Sequence, residues 1–374
     1  MYYRMLGVLL ILNIFPWVAI SQSKHVSRFF IGGYYLDLNH PSVEVCDNVY
    51  LKEYYDVEQC YYVDENGDTR LIGYDGILHD ADNNVIEGSS MLVYESKCFV
   101  PGSSSNIVHY FGRNYMMIDL EKNKVIKKID NFETGDIVLA VHKSDCSGVW
   151  LFYSGDDEIR KYLLSNDEVI YCGSEDWIFE NKKQPSRDND LYVMLSPDCK
   201  HFTSVLRFAE LHYGDFDRMT GTFKVKSIKL ADFPDEFYIT SAFSYDGKKI
   251  YCNFIHDKSR ARVTDLLEYD LKDGYVDFGS EKITNIIDYY GIELSSSPFY
   301  DVFHHKTCFY SYEKYAISLS TDKLGNTEME YIYVPSKDKI EPSNQIFPAS
   351  WFSANPCDGE SPPCFLPVPK ILRE

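Results

Sequence analysis

An all-β fold class is what the 374-residue sequence predicts, and three observations carry it. Helical periodicity is scarce. Short runs rich in Tyr, Phe, Ile and Val are cut every few residues by Asn-Gly, Asp-Gly, Gly-Asp or Ser-Asn, which are hairpin signals. Two sequence lines recur at a period of roughly forty to fifty residues, the mark of an array built from one supersecondary unit. At this length a sizeable buried core is available.

The opening MYYRMLGVLLILNIFPWVAISQSKH places Arg4 before an apolar run from Met5 to Leu12, and Ala19-Ile20-Ser21 offers the small residues of a cleavage site. Residues 1–21 read as a signal peptide, with Gln22 as the new N-terminus. Asn13 and Pro16 interrupt the apolar run, which falls short of the roughly 20 residues a span needs. The expectation is an exported chain, periplasmic, at the cell surface or secreted, with no membrane span after cleavage. Further on, YYVDENGDTRLIGYDGILHDADNNVIEG carries turns at Asn66-Gly67, Asp75-Gly76 and Asp82 to Asn84 between short strands, a meander.

The first recurring line is an apolar stretch followed by a polar turn: YYLDLNH, ILHDADNN, MMIDLEKN, KYLLSND, GDFDRMTG, LEYDLKDG and AISLSTDKLG. It aligns Asp37, Asp80, Asp119, Leu163, Asp217, Asp270 and Ser318, at spacings of 43, 39, 44, 54, 53 and 48. The second line, HKSDCSGVWLFY, LSPDCKHFTSV and FSYDGKKIYCNF, precedes three of these positions. There Asp-Gly-Lys or a variant makes a tight turn and the next strand lies deep, with Cys199 standing where the related line has Gly247. A four-stranded unit cannot bury both faces alone, so neighbours stacked about an axis complete one another. The prediction is a β-propeller of four-stranded blades over residues 22–335. Seven lines give seven blades, with six and eight as alternatives. Phe29-Phe30-Ile31 is expected to close the ring by pairing with Tyr331-Ile332-Tyr333. Residues 336–374 hold Pro342, Pro348, Pro356, Pro362, Pro363, Pro367 and Pro369 and read as an extended Pro-rich tail.

DGILHDADNNVIEG, PGSSSNIVHYF, VHKSDCSGVWLFY with KYLLSND, LSPDCKHF with GDFDRMTG, and FSYDGKKIYCNF with LEYDLKDG resemble a known family in wording and order. The family is the N-terminal WD40-like β-propeller region of exported Bacteroidetes proteins that carry a gliding-motility-associated or type IX sorting domain. The similarity covers most of residues 28–320. The sequence ends at PVPKILRE without a sorting domain, so type IX export and a gliding role are not carried over. The resemblance implies an exported propeller and supplies no catalytic residues.

Net charge is −20, or −21 without the single basic residue of the signal, and this balance repels phosphate backbones and anionic lipid. Nucleic acid is therefore not an expected partner. Ten cysteines in an exported chain permit disulfides, with Cys46–Cys60 and Cys357–Cys364 as local pairs, while Cys252 alternates within a strand as a small core residue.

Asp64-x-Asn66-x-Asp68 with Asp75 superficially follows a calcium loop, because hard cations want oxygens from alternating positions of a tight turn. Thr69 replaces its glycine, Arg70 takes the seventh position and Asp75 stands where Glu is usual. Asp80-x-Asp82-x-Asn84 is a second partial match, and in both places hairpin turns already explain the residues. His304-His305 would point to opposite faces of a strand, and no zinc spacing or other cofactor motif appears. No Gly-x-Ser-x-Gly elbow is present, and HKSDCSGVW departs from the aspartate box of sialidases at Gly148 and at the Asp145 to Trp150 register. The 31 tyrosines suit strands and blade packing first. Tyr289, Tyr290, Phe299 and Tyr300, around SSSPFY, are the candidate ligand contacts on long-loop material. The function expected is a noncatalytic binding or scaffold module for a protein or glycan. The alternative is a propeller-type carbohydrate hydrolase, which needs two carboxylates converging at the axis.

Overall fold

The computed structural model describes residues 28–31, 34–37, 43–45, 60–64, 69–74, 76–91, 97–155, 158–176, 191–206, 210–230, 236–258, 261–285, 299–301, 306–310, 315–333 and 365–367. Every regular element among them is a β-strand, and the strands form seven antiparallel sheets. The first sheet joins β1 (Arg28–Ile31), β2 (Tyr34–Asp37) and β3 (Val43–Val45), and the second β4 (Cys60–Val63), β5 (Thr69–Tyr74) and β6 (Ile77–Asp80). The third is the meander β7 (Cys98–Pro101), β8 (Ile107–Phe111), β9 (Tyr115–Asp119) and β10 (Lys124–Ile129). The fourth holds β11 (Ile137–His142), β12 (Val149–Ser154), β13 (Glu158–Ser165) and β14 (Glu168–Asp176). The fifth holds β15 (Leu191–Leu195), β16 (His201–Leu206), β17 (Glu210–Asp217) and β18 (Thr222–Leu230). The sixth holds β19 (Glu236–Phe243), β20 (Lys249–Lys258), β21 (Ala261–Lys272) and β22 (Tyr275–Asn285), and the seventh β23 (Phe299–Asp301), β24 (Lys306–Tyr310), β25 (Tyr315–Thr321) and β26 (Thr327–Tyr333). The last strand, β27 (Phe365–Pro367), pairs with β11.

This is a β-propeller of four-stranded blades, and burial runs radially through the blades whose burial is described. First strands are buried almost throughout, as in β7, β11 and β15, whereas the fourth strands β10 and β18 are half-buried or exposed. The first strands β11 and β15, and β15 and β19, lie against one another. The recurring aspartate line falls on the third strand of six sheets, with Asp37 ending β2 of the first.

Blade-to-blade seams are aromatic. Phe152 of the fourth sheet meets Phe216 and Phe223 of the fifth at 5.9 and 4.9 Å between ring centres, and Tyr213 meets Phe243 of the sixth at 6.2 Å. Tyr62 and Phe99 join the second and third sheets at 6.1 Å. Tyr110, Tyr115, Tyr153, Tyr213, Tyr251 and Tyr269 are fully buried, so packing accounts for much of the tyrosine content. Gly214 sits at a bulge between β17 and β18, where a Cβ would lie 2.1 Å from the Lys224 carbonyl oxygen and 2.6 Å from the Phe202 ring.

Two expectations change. Phe29–Ile31 and Tyr331–Tyr333 lie in separate sheets: β1 takes β2 as its partner and β26 takes β25, so the anticipated closing pair is not made. The Pro-rich tail is not extended chain alone, because Phe365–Pro367 joins β11 as a fifth strand. The turn at Asn66-Gly67 lies outside the described residues.

Phe152→Ala should remove an aromatic anchor from the seam between the fourth and fifth sheets at a cost of about 3 to 5 kcal/mol. Urea unfolding measures this, and a loss below about 1 kcal/mol would mean that the seam does not hold the blades together.

Candidate ligand-binding face

In a meander the turns between strands 1 and 2 and between strands 3 and 4 fall at one end of the sheet. The turns between strands 2 and 3, with the connection to the next sheet, fall at the other. Contacts between sheets show that the first kind of turn gathers at a common end. Asp80, closing β6, accepts a hydrogen bond from Asn123 Nδ2 in the β9–β10 turn at 2.6 Å. Ser103 of the β7–β8 turn bonds Asp167 of the β13–β14 turn. Arg218 of the β17–β18 turn donates to the carbonyls of His142 and Lys143 at 3.0 and 3.3 Å, while Trp150 Nε1 donates to the Arg218 carbonyl at 2.9 Å. Thr327, opening β26, reaches the Lys249–Glu268 ion pair of the sixth sheet.

The aspartates of the recurring lines hold these turns. Asp80 accepts the backbone N–H groups of Asp82 and Asn84 at 3.0 and 2.8 Å. Burial pushes its carboxyl up, and the bonds from Asn84, Asn123 and Asp82 outweigh it, so the group sits below the usual carboxylate range. Asp217 accepts from Met219 N–H and the Thr220 hydroxyl, both at 2.8 Å. Asp145 is pulled down to about 2, first by the Ser147 hydroxyl, then by the Ser147 N–H and the Lys143 ammonium. In the second line Asp198 and Asp246 each accept a serine hydroxyl at 2.6 Å, from Ser196 and Ser244. Cys146, Cys199 and Gly247 occupy the equivalent left-handed position with φ of 58°, 55° and 68°, the conformation this turn requires.

Of the calcium candidates, Asp64 is taken by Arg70, whose guanidinium lies 3.1 Å from its carboxylate, and Asn66, Asp68 and Asp75 lie outside the described residues. The carboxylate of Asp80 closes its own hairpin. Among the described residues no three metal-ligating side chains converge. His304 and His305 lie outside the described residues, as do Cys46, Cys357 and Cys364. Cys98, Cys199 and Cys252 are buried thiols, Cys172 is an exposed one, and Cys146 is disulfide-bonded.

Sequence reading missed one constellation with the composition of a hydrolase. His109 is fully buried, its Nε2 lies 2.9 Å from Asp167 and its Nδ1 3.0 Å from the Tyr115 hydroxyl. Asp167 stands between Ser103 and His109, so the serine bonds the acid and not the imidazole. A nucleophile needs the base as its hydrogen-bond partner, and this arrangement is a polar tie between two blades. Burial lowers the His109 pKa against the opposing pull of Asp167. Its parts come from turns 64 residues apart, and only the left-handed Asn166-Asp167 pair marks the place locally.

The opposite end carries the longer connections, 177–190 between β14 and β15 and 286–298 between β22 and β23. Tyr289 and Tyr290 belong to the second of these and lie outside the described residues. Phe299 and Tyr300 open β23 at the same end, paired with Cys308 and Thr307. Near this end of the third and fourth sheets, buried Glu133 receives Arg160 and the Tyr162 hydroxyl, and Arg160 also reaches Thr134 at 3.2 Å.

No family model matches the chain, and no curated protein matches it. Among solved structures, a candidate 6-phosphogluconolactonase from Bacteroides uniformis shares 11% identity at a TM-score of 0.52, over 86% of this chain and 99% of that one. One from Bacteroides fragilis NCTC 9343 shares 9% at 0.49, over 85% and 97%. The Cps50 (Swd1) β-propeller domain of Myceliophteria thermophila shares 10% at 0.37, over 69% and 72%. At these identities the first likeness concerns the propeller fold alone.

His142 ends β11, and burial first, then the Arg218 guanidinium, pushes its pKa down from 6.5 to about 4. The unfolded chain therefore takes up a proton here between pH 6.5 and 4 that the folded chain refuses. This contribution to stability is complete above pH 6.5 and is lost as pH falls toward 4, by roughly 2 to 3 kcal/mol at pH 4.5. His79 and His109 act in the same sense, so unfolding of the parent chain and His142→Gln is compared at pH 7 and 4.5. The variant should lose less stability on acidification by about that amount, and equal losses would refute the assignment.

Proposed function

We propose that the chain is an exported, noncatalytic seven-bladed propeller that presents one end of its sheets as a binding surface for a glycan or a protein. One observation carries the reading: turn carboxylates are committed to turn and blade contacts at one end, and the long connections leave from the other. A framework held by aromatic seams and hydrogen-bonded turns fixes the strand ends from which these connections leave, which lowers the ordering cost of binding. Tyr289 and Tyr290 supply aromatic faces of the kind that stack on sugar rings or peptide side chains. The signal-like N-terminus and the resemblance over residues 28–320 support export; acidic composition disfavours nucleic acid.

The test is a glycan array on the purified chain, with release of reducing sugar followed in the same samples. Binding without turnover is expected. Tyr289→Ala/Tyr290→Ala should weaken it at least tenfold, about 1.4 kcal/mol, while leaving the melting temperature unchanged. Turnover would overturn the reading in favour of the carbohydrate-hydrolase alternative, and binding that ignores the tyrosine pair would move the surface elsewhere.

A further inference from the structure

We propose that the inner edge of β11 is an acceptor site for an extended apolar peptide segment of a partner protein, occupied in this chain by its own Phe365–Pro367. Every other strand described pairs with a neighbour in the sequence, whereas β27 reaches back so that Phe365 faces Val141, Leu366 faces Ala140 and Pro367 faces Leu139. It also lies against β15. The segment thus fills a slot along the inner edge of β11, beside the first strand of the adjacent blade. Leu139, Ala140 and Val141 are fully buried.

The slot offers what strand addition needs: a row of backbone donors and acceptors on β11, flanked by apolar side chains. Its present occupant is weakly built for permanence. Pairing extends over three residues, and Pro367 brings no N–H. Pro362, Pro363 and Pro369 bracket the segment and limit growth of the ladder in either direction. By contrast β12 pairs with β13 over six residues. A competing segment of the same chemistry, extended and apolar with a proline at its end, replaces like with like and gains where it forms a longer ladder. This site runs along β11 and is separate from the surface proposed at the long connections.

The probe is a fluorescent decapeptide with the sequence of residues 361–370 carrying Cys364→Ser, and the protein is the full chain with Phe365→Pro/Leu366→Pro. That variant should show faster amide exchange at residues 139–141 than the parent chain. It should bind the peptide at least tenfold more tightly than the parent, with exchange slowed again on binding. Unchanged exchange in the variant would refute occupancy by the tail. Faster exchange without peptide binding would refute the acceptor site. As a second measurement on the parent chain, saturating peptide should speed amide exchange at Phe365 and Leu366, and unaltered exchange there would also overturn the proposal. Tyr289→Ala/Tyr290→Ala should leave peptide affinity unchanged, so this site and the loop surface stand or fall separately.

Discussion

The structure depends on burying the two faces of each sheet against its neighbours. A four-stranded antiparallel sheet has too little surface to form a core of its own, and here Phe and Tyr fill the gap between blades, as Phe152, Phe202, Phe216 and Phe223 do around one seam. An aromatic side chain buries roughly 150 to 250 Å², worth about 4 to 6 kcal/mol as an upper bound. A few per seam therefore outweigh any single turn hydrogen bond, worth about 1 kcal/mol. Turns then set register, and seams set stability.

This division of labour explains what was legible in the sequence. The aspartates at 80, 119 and 217 are visible because an Asx turn is local chemistry: the carboxylate bonds backbone groups two to four residues away. The left-handed place of Cys199 was readable for the same reason, from its alignment with Gly247. Ties between distant turns were not. Nothing near Ser103 announces Asp167, and nothing in the tail announces β11, because these pairings are decided by how sheets stack. The proposed closing pair of Phe29–Ile31 with Tyr331–Tyr333 failed on the same ground. Each segment has an apolar strand pattern, and pattern alone does not choose between a neighbour in sequence and one across the ring.

The candidate chemistry divides along similar lines. The carboxylates of the recurring lines are turn acceptors, and bonds from N–H and hydroxyl groups help to hold Asp145 and Asp217 in their charged forms. A carboxylate stabilised as an anion is a poor general acid. The imidazoles of His109 and His142 are both shifted toward neutrality, and that of His109 is tied to Asp167 of the next blade, so it favours rigidity over proton transfer.

Sheet edges pose a problem that the inner and outer strands solve differently. Two outer strands carry lysines, Lys124, Lys127 and Lys128 on β10 and Lys224, Lys226 and Lys229 on β18, and charge on a solvated edge discourages pairing with another chain. That device is closed to an inner strand such as β11, because a lysine among Leu139, Ala140 and Val141 would lose its hydration without gaining a partner. A buried edge must instead be covered by backbone that returns its hydrogen bonds, and Phe365–Pro367 does so. The same covering makes the edge specific. Only a segment extended enough to match the ladder and apolar enough to lie beside β15 competes with the tail, whereas the charged edges of β10 and β18 turn away all strands alike.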